Sequence, residues 1–137
     1  MGEKDTPTTA AHWRIVDIEE TTAQFSAAGT GANTSTVFYK MNRKGKIATF
    51  SAYGGYAAAI GTFSFIRVAV PTRFRPNTTQ QLAWGVAQNG AGHQAGFLVV
   101  KTDGFFDAQN INLSNFTGVC GFSASNAVYQ SAAYYLS

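Results

Sequence analysis

The stretch FSFIRVAVPTRFRP, residues 63–76, decides the fold of this chain. Its first eight residues alternate as a β-strand does, and both of the resulting faces are largely apolar. We therefore expect a strand that is covered on both sides. Pro71 and Pro76 each fix φ and remove a backbone donor, so strand pairing should stop between them and resume at Asn77.

Short strand-like runs separated by turn signals lie on both sides of this stretch. The clearest hairpin pairs residues 36–41 with residues 46–51 across a four-residue turn that ends in Gly45, whose glycine suits a positive φ. Asp103-Gly104 predicts a second hairpin, and residues 53–61 are interpreted as a Gly-rich loop. The other candidate strands are residues 12–18, 80–86, 96–101, 110–113, 119–123, 127–129 and 133–136, with a turn at 89–92 and a loop or edge strand at 19–22. We predict an all-β chain: a single antiparallel β-sandwich, jelly-roll-like, of about eight to ten short strands.

The length of 137 residues fits one domain. Residues 1–9 are polar and predict a flexible N-terminal arm, and residues 10–137 would form the sandwich. No secretory signal and no membrane-spanning apolar run is visible, so we expect synthesis in a reducing compartment and no membrane insertion. Cys120 is the only cysteine, and its apolar neighbours predict a small buried hydrophobe.

Charged residues make up only 12% of the chain, against a usual share of about 25%. A small domain with so few charges is expected to cover part of its surface with another subunit, so we predict an oligomer, although a surface rich in Ser, Thr, Asn, Gln and Gly also keeps a monomer soluble. No acidic residue lies between Glu20 and Asp103, a span that contains eight Lys and Arg residues. These form either a basic face for an anionic partner or solvated edges and loops.

Several of these pieces occur in an order that resembles a domain of bacteriophage structural proteins, found at the carboxy ends of tail, baseplate and head fibres. The hairpin from Tyr39 to Ile47, a Gly-rich loop, Pro-x-x-Phe-Arg-Pro at residues 71–76 and a strand ending in Asp103-Gly104 carry the resemblance, which covers about residues 37–135. It implies a compact β-sandwich that assembles as a trimer in the virion and attaches the particle to a host surface, after synthesis in the host cytoplasm.

The turn at residues 71–76 has a structural interpretation of its own. Phe74 is expected to plug the sandwich while Arg73 and Arg75 point outward or bridge to a neighbouring chain. Alternatively, Arg75 holds the turn by donating to backbone carbonyls. The predicted structural turn comprises Pro71, Arg73, Phe74, Arg75 and Pro76.

No catalytic constellation is complete in the sequence. His12 and His93 are too few for a metal site without clustered carboxylates, and a glycosidase pair would require Asp107 or a partner from across the fold. Residues 121–125 lack the final glycine of a nucleophile elbow. We expect no enzymatic activity, no metal and no cofactor.

Three functions remain open. The first is a fibre head that binds a host-surface glycan or protein, because tyrosines stack on sugar rings and amides bond to hydroxyls; core packing is the alternative role of the tyrosines. The predicted receptor-binding residues are Tyr53, Tyr56, Asn89, His93 and Gln94. The second is a structural trimerising cap or decoration protein that contacts only other virion subunits.

The third is a β-barrel that binds single-stranded nucleic acid. Its motivation is a set of aromatic and basic residues, namely Phe63, Phe65, Phe74, Trp84, Arg67, Arg73 and Arg75. Nucleic acid is the partner we expect least, because these aromatic residues lie in predicted strands, where burial in the core explains them.

Overall fold

The structure is a computed structural model of the chain and describes residues 16–24, 26–27, 36–58, 64–88 and 91–137. Eleven strands are described: β1 Val16–Gln24, β2 Ser26–Ala27, β3 Thr36–Lys44, β4 Ile47–Gly54, β5 Tyr56–Ala58, β6 Phe65–Ala69, β7 Gln80–Gln88, β8 Ala91–Val100, β9 Phe105–Asn110, β10 Val119–Gly121 and β11 Gln130–Tyr135. Within these ranges the helical structure is one 3-10 turn, Thr72–Phe74.

The strands form two antiparallel sheets. The four-stranded sheet has the order β1-β3-β4-β11, and the seven-stranded sheet has the order β2-β6-β9-β8-β7-β10-β5. Hairpins join β3 to β4, β7 to β8 and β8 to β9. The predicted all-β antiparallel sandwich is confirmed, and β1, an edge strand, contains residues 19–22.

The core lies between the two sheets because alternate residues of each strand point inward. Phe50 is fully buried at its centre, with its ring centroid 5.6 Å from that of Trp84 and 5.3 Å from that of Phe106 on the opposite sheet. Cys120 is also fully buried, as expected, and burial raises the pKa of its thiol from 9.0 to about 11. The thiol therefore stays protonated and packs as a hydrophobe.

The strand of the opening stretch is covered on one side only. In β6, Ile66 and Val68 are buried, whereas Phe65 and Arg67 are half-buried and Ala69 is exposed. The expectation of burial on both faces was wrong because a two-layer sandwich leaves the outer face of each sheet toward solvent. The predicted position 63 lies outside the described residues.

The proline-bounded turn is held by one buried aromatic side chain and by one arginine. Phe74 is fully buried, and its carbonyl accepts a 2.6 Å hydrogen bond from the hydroxyl of Tyr134. Both Nε and Nη2 of Arg75 lie 3.4 Å from the carbonyl oxygen of Val70, so this arginine holds the turn. Backbone bonding resumes at Asn77, which donates to the Leu136 carbonyl at 3.1 Å, although the β7 ladder begins three residues later.

Glycines with positive φ lie where the chain turns from β3 into β4 and where it passes from β4 into β5. The β3–β4 turn occupies residues 45–46 rather than 42–45, with Gly45 at a φ of 62°. The predicted loop at 53–61 was wrong over residues 53–58, because Tyr53 and Gly54 end β4 and Tyr56 begins β5, and residues 59–61 lie outside the described residues. Gly54 and Gly55 have φ of 87° and 76°, and between them the chain crosses from one sheet to the other.

Three further local predictions were wrong. Asn110 is the end of β9 and residues 111–113 form a turn, not a strand, because the Asn110 side chain donates to backbone carbonyls beyond it. Residues 127–129 precede β11 as a loop held by the Ser125 hydroxyl. Ala91 and its neighbour belong to β8 rather than to a turn, and residues 89–90 lie outside the described residues.

Candidate functional site

A cleft of about 640 Å³ opens at the end of the sandwich where β4 passes into β5. Gly54 donates a 3.0 Å hydrogen bond to the Ser125 carbonyl there, which joins the cleft loop to the four-stranded sheet. None of the described residues that line the cleft carries a formal charge. They are Tyr56, Gly85, Ala124, Ser125, Asn126, Val128, Tyr129 and Gln130.

The loop that precedes β11 presents one wall of this cleft. The Ser125 hydroxyl accepts hydrogen bonds from the backbone N–H groups of Ala127 and Val128, at 3.1 and 3.0 Å. The Ser125 hydroxyl thus pairs the backbone N–H groups of this turn, so the side chains of Val128 and Tyr129 are not required to hold the turn. Val128 is 66% exposed and Tyr129 41% exposed, which places two large apolar groups at the cleft rim.

Gln130 forms the floor by completing the edge of another strand. Its side-chain oxygen accepts from the N–H of Gly85 at 3.0 Å, and its side-chain nitrogen donates to the carbonyl of Gly85 at 2.7 Å. The neighbouring strand β10 reaches β7 only at Ala87, so the amide takes the place of a missing strand partner. A Cβ on Gly85 would lie 2.9 Å from that of Ala124, which explains why a glycine is needed.

Tyr129 is oriented by a row of aromatic rings on the outer face of the four-stranded sheet. Its ring meets that of Tyr53 edge-on, with a 4.8 Å centroid separation, and Tyr53 stacks in turn on Phe38 at 5.0 Å. The Lys40 ammonium lies 4.6 Å from the Tyr129 centroid. These contacts hold the ring in place before any ligand arrives.

Tyr56 supplies another part of the wall. Its hydroxyl donates to the Ala124 carbonyl at 2.8 Å, and its ring packs so closely on Gly121 that a Cβ there would lie 2.5 Å away. Burial raises the pKa of this hydroxyl, which therefore stays protonated and keeps the proton that it donates to Ala124.

The structure divides the predicted receptor-binding set. Tyr56 lines the cleft and Tyr53 supports Tyr129 behind its rim, so the two tyrosines belong to one site. Gln94 is exposed on β8 and lines another cavity, of about 160 Å³, rather than the cleft itself. Position 89 and the side chain at position 93 lie outside the described residues.

Sequence reasoning missed Asn126, Tyr129 and Gln130. The available signal was the run Ser123-Ala124-Ser125-Asn126, whose small and polar residues are typical of a loop, with Val128 and Tyr129 shortly after it. Interpreting residues 127–129 as a strand concealed it, because a strand at this position leaves no loop that could present Tyr129.

The basic residues of the acid-free span are distributed over separate surfaces. Arg43, at the β3–β4 tip, donates to the carbonyl of Arg73 at 2.9 Å, which joins the hairpin tip to the proline-bounded turn. Lys44 and Lys46 are exposed beside them, at the opposite end of β4 from the cleft. We call Arg43, Lys44, Lys46 and Arg73 the basic end.

A second group of charges lies on the outer face of the seven-stranded sheet. Arg67 binds the buried Asp107 carboxylate through two hydrogen bonds of 3.0 and 3.1 Å, and the Lys101 ammonium lies 3.5 Å from the same group. The Arg67 guanidinium also stacks over the rings of Phe65 and Phe105. Asp107 is therefore occupied in an ion-pair network, in which the Lys101 ammonium also lies 3.2 Å from the Asp103 carboxylate.

The aromatic residues considered for nucleic-acid stacking are largely inaccessible. Phe74 is fully buried and Trp84 is 4% exposed, with its indole N–H donating to the Phe122 carbonyl at 2.8 Å. Neither ring can offer a face to a base. Phe65 is half-buried beneath the Arg67 guanidinium.

In the described parts of the chain, no group of three or more His, Cys, Asp or Glu side chains is placed to hold a metal ion. No helix in those parts is long and apolar enough to cross a membrane. No protein-family model matches this sequence, and no curated protein is significantly similar to it.

Proposed function

We propose that this protein is a non-catalytic, trimeric fibre-head domain of a virion and that it attaches the particle to a glycan on the host surface through the cleft beside Tyr129. The observation that carries the proposal is the exposed Tyr129 ring, held edge-on by Tyr53 at the rim of a cleft whose described lining is uncharged. The fold, a compact antiparallel β-sandwich, is the one that the resemblance to phage fibre domains implies.

The chemistry of the cleft suits a sugar better than a charged or wholly apolar ligand. An aromatic face packs on the C–H groups of a sugar ring, and Asn126 and Ser125, which also line the cleft, carry an amide and a hydroxyl. A neutral cleft of this size also meets the general description of a small-molecule site, with a few polar groups set among apolar ones.

Preorganisation of Tyr129 supports the same proposal. A ring already fixed by Tyr53 and Lys40 loses little conformational freedom when a ligand stacks on it. Gln130 contributes a rigid floor, because both ends of its amide are bound to the backbone of Gly85. A rigid site of this kind selects ligands by their shape, because little conformational entropy is lost when a ligand binds.

Exposed apolar side chains support assembly with other chains. Nine large hydrophobic residues are at least a third exposed among those the structure describes, in a chain with only 12% charged residues. The same feature would serve a structural cap that contacts only virion subunits, so the binding experiment must separate the two functions.

The test compares three proteins on a glycan array and on host cells: the natural sequence, Tyr129→Ala and Tyr135→Ala. Tyr135 is the matched control, because it is an exposed tyrosine at the other end of β11. We expect Tyr129→Ala to weaken binding about tenfold, equivalent to about 1.4 kcal/mol, and Tyr135→Ala to have less than about a twofold effect. Light scattering verifies that all three have the same mass.

Two outcomes would overturn the proposal. Equal glycan binding by Tyr129→Ala and the natural sequence would remove the assigned site. Binding to capsid or tail protein, with none to glycans or host cells, would instead identify a structural cap or decoration protein.

A further inference from the structure

Two further cavities adjoin the cleft beyond its floor and share lining residues with it or with each other. A second cavity, of about 390 Å³, shares Gly85 and Gln130 with the cleft. The third cavity, the one lined by Gln94, shares Ala95 and Ile111 with the second. We call the second and third cavities together the trough, which leads away from Tyr129 across the seven-stranded sheet.

Small residues make the floor of the trough. Trp84 and Val86, on either side of Gly85 in β7, are buried, so Gly85 and its register partner Ala95 of β8 lie on the outer face of the sheet. Ala83 lies on the same face and is exposed. A Cβ on Gly96 would lie 2.4 Å from the carbonyl oxygen of Gln109, so close strand packing also excludes a larger residue there.

The far wall is a turn held in an uncommon conformation. Asn110 is 5% exposed and its amide donates to the Ser114 carbonyl at 3.0 Å, which fixes the turn that follows β9. Leu113 has a φ of 61°, in a region that costs a non-glycine residue about 1 kcal/mol or more. Ile111 and Leu113 are 56% and 60% exposed, so this fixed turn presents apolar groups beside the Asn112 amide.

The trough is as uncharged as the cleft. No described residue lining either cavity of the trough is acidic or basic. On the same sheet, Arg67 and Lys101 are already paired with Asp107. Within the trough, a charged ligand would lose its hydration without finding a partner, whereas hydroxyl groups would meet amides and backbone groups.

We propose that the cleft and the trough form one extended site for an uncharged linear oligosaccharide of several sugar units. Neighbouring strands are about 4.8 Å apart, so a ligand reaching from Tyr129 over β7 and β8 to the turn after β9 is longer than one sugar ring. The inference rests on the proposed function and adds to it the length and charge of the ligand.

The test uses neutral linear oligosaccharides of two and six units from the malto-, laminari- and chito- series, with a sialylated trisaccharide and a neutral hexapeptide as comparisons. Affinity is measured by calorimetry, and the position of binding by amide chemical shifts of the full chain. We expect the best hexasaccharide to bind at least about tenfold more tightly than its disaccharide and to shift amides of both residues 124–130 and 110–114.

Blocking the trough separates the two parts of the site. Ala95→Trp should remove the advantage of the hexasaccharide and leave disaccharide affinity unchanged. Ala133→Trp, on an exposed strand position of the other sheet, is the matched control and should change neither. If the amide spectrum shows that Ala95→Trp does not fold like the natural protein, Ala83→Phe is used instead to block the trough.

Each other outcome overturns the inference in a distinguishable way. Shifts confined to 124–130, with no effect of ligand length or of either block, would leave the proposed function standing without the trough. Binding of the sialylated probe alone would show a charged ligand in the cleft, and binding of the peptide alone would replace the glycan with a protein receptor. If none of the probes shifts the cleft amides, both the inference and the proposal of a glycan receptor are overturned.

Discussion

At the scale of single residues, close contacts explain where glycine is required. Gly104 follows the Asp103 side chain that accepts the Phe105 N–H at 3.1 Å, and its φ of 93° closes the β8–β9 turn. A Cβ there would lie 2.5 Å from Cζ of Arg75. The turn and the arginine that holds the proline-bounded segment thus depend on each other.

Replacing Gly104 with alanine should destabilise the fold by about 2–3 kcal/mol, because positive-φ strain adds to displacement of the Arg75 guanidinium from the Val70 carbonyl. Gly45→Ala is the control, since Gly45 also has a positive φ but a Cβ there would meet nothing within 4 Å. That change should cost about 1 kcal/mol. The free energy of unfolding in urea measures both, and equal losses would contradict the role assigned to Arg75.

At the scale of elements, β11 belongs to the four-stranded sheet yet completes the edge of β7 in the other sheet through one side chain. The Gln130 amide bonds both backbone groups of Gly85 at a point that β10 does not reach. It therefore joins the two sheets at the cleft and also lines both the cleft and the trough.

Gln130→Ala should lower the free energy of unfolding by about 1–3 kcal/mol, because two half-buried backbone groups lose their partners. Gln81→Ala removes an exposed glutamine from the same strand β7 and should change stability by less than about 0.5 kcal/mol. Urea unfolding gives the comparison. Amide hydrogen exchange at Gly85 should also become faster in the first variant, and unchanged exchange there would rule out the edge-completing role.

At the scale of the whole molecule, the sandwich has two chemically different ends. β4 runs from the basic end, beside Ile47, to the cleft end at Gly54, and β11 runs back from Gln130 to Tyr135. In the proposed fibre head, the neutral cleft end would face the host, and the basic end would be left for the rest of the particle.

The proposed trimer should have the mass of three 14.6 kDa chains in solution. The reason is the combination of few charged residues with many exposed apolar ones, which favours burial between subunits. Light scattering on a size-exclusion column at two protein concentrations provides the measurement. A monomer at both concentrations would refute the trimer while leaving the cleft to be tested by itself.

The sequence by itself determined the all-β class, the β3–β4 and β8–β9 hairpins and the burial of Phe74. These depend on local physics: period-two alternation selects strands, and Gly45 and Gly104 supply the positive φ that their turns require. Where the local pattern was ambiguous, as at residues 110–113 and 127–129, side-chain bonds from Asn110 and Ser125 decided the conformation.

Only the tertiary structure decided the candidate site. Gln130 meets Gly85 across 45 residues of chain, and the Tyr129 ring meets Tyr53 only because β11 pairs with β4. Tyr129 is exposed because it lies on the outer face of the four-stranded sheet. The alternation of residues within one segment does not show which face of a sheet a residue will occupy. Contacts between residues distant in sequence depend on how the two sheets pack, and that packing is set by the whole core rather than by any single stretch.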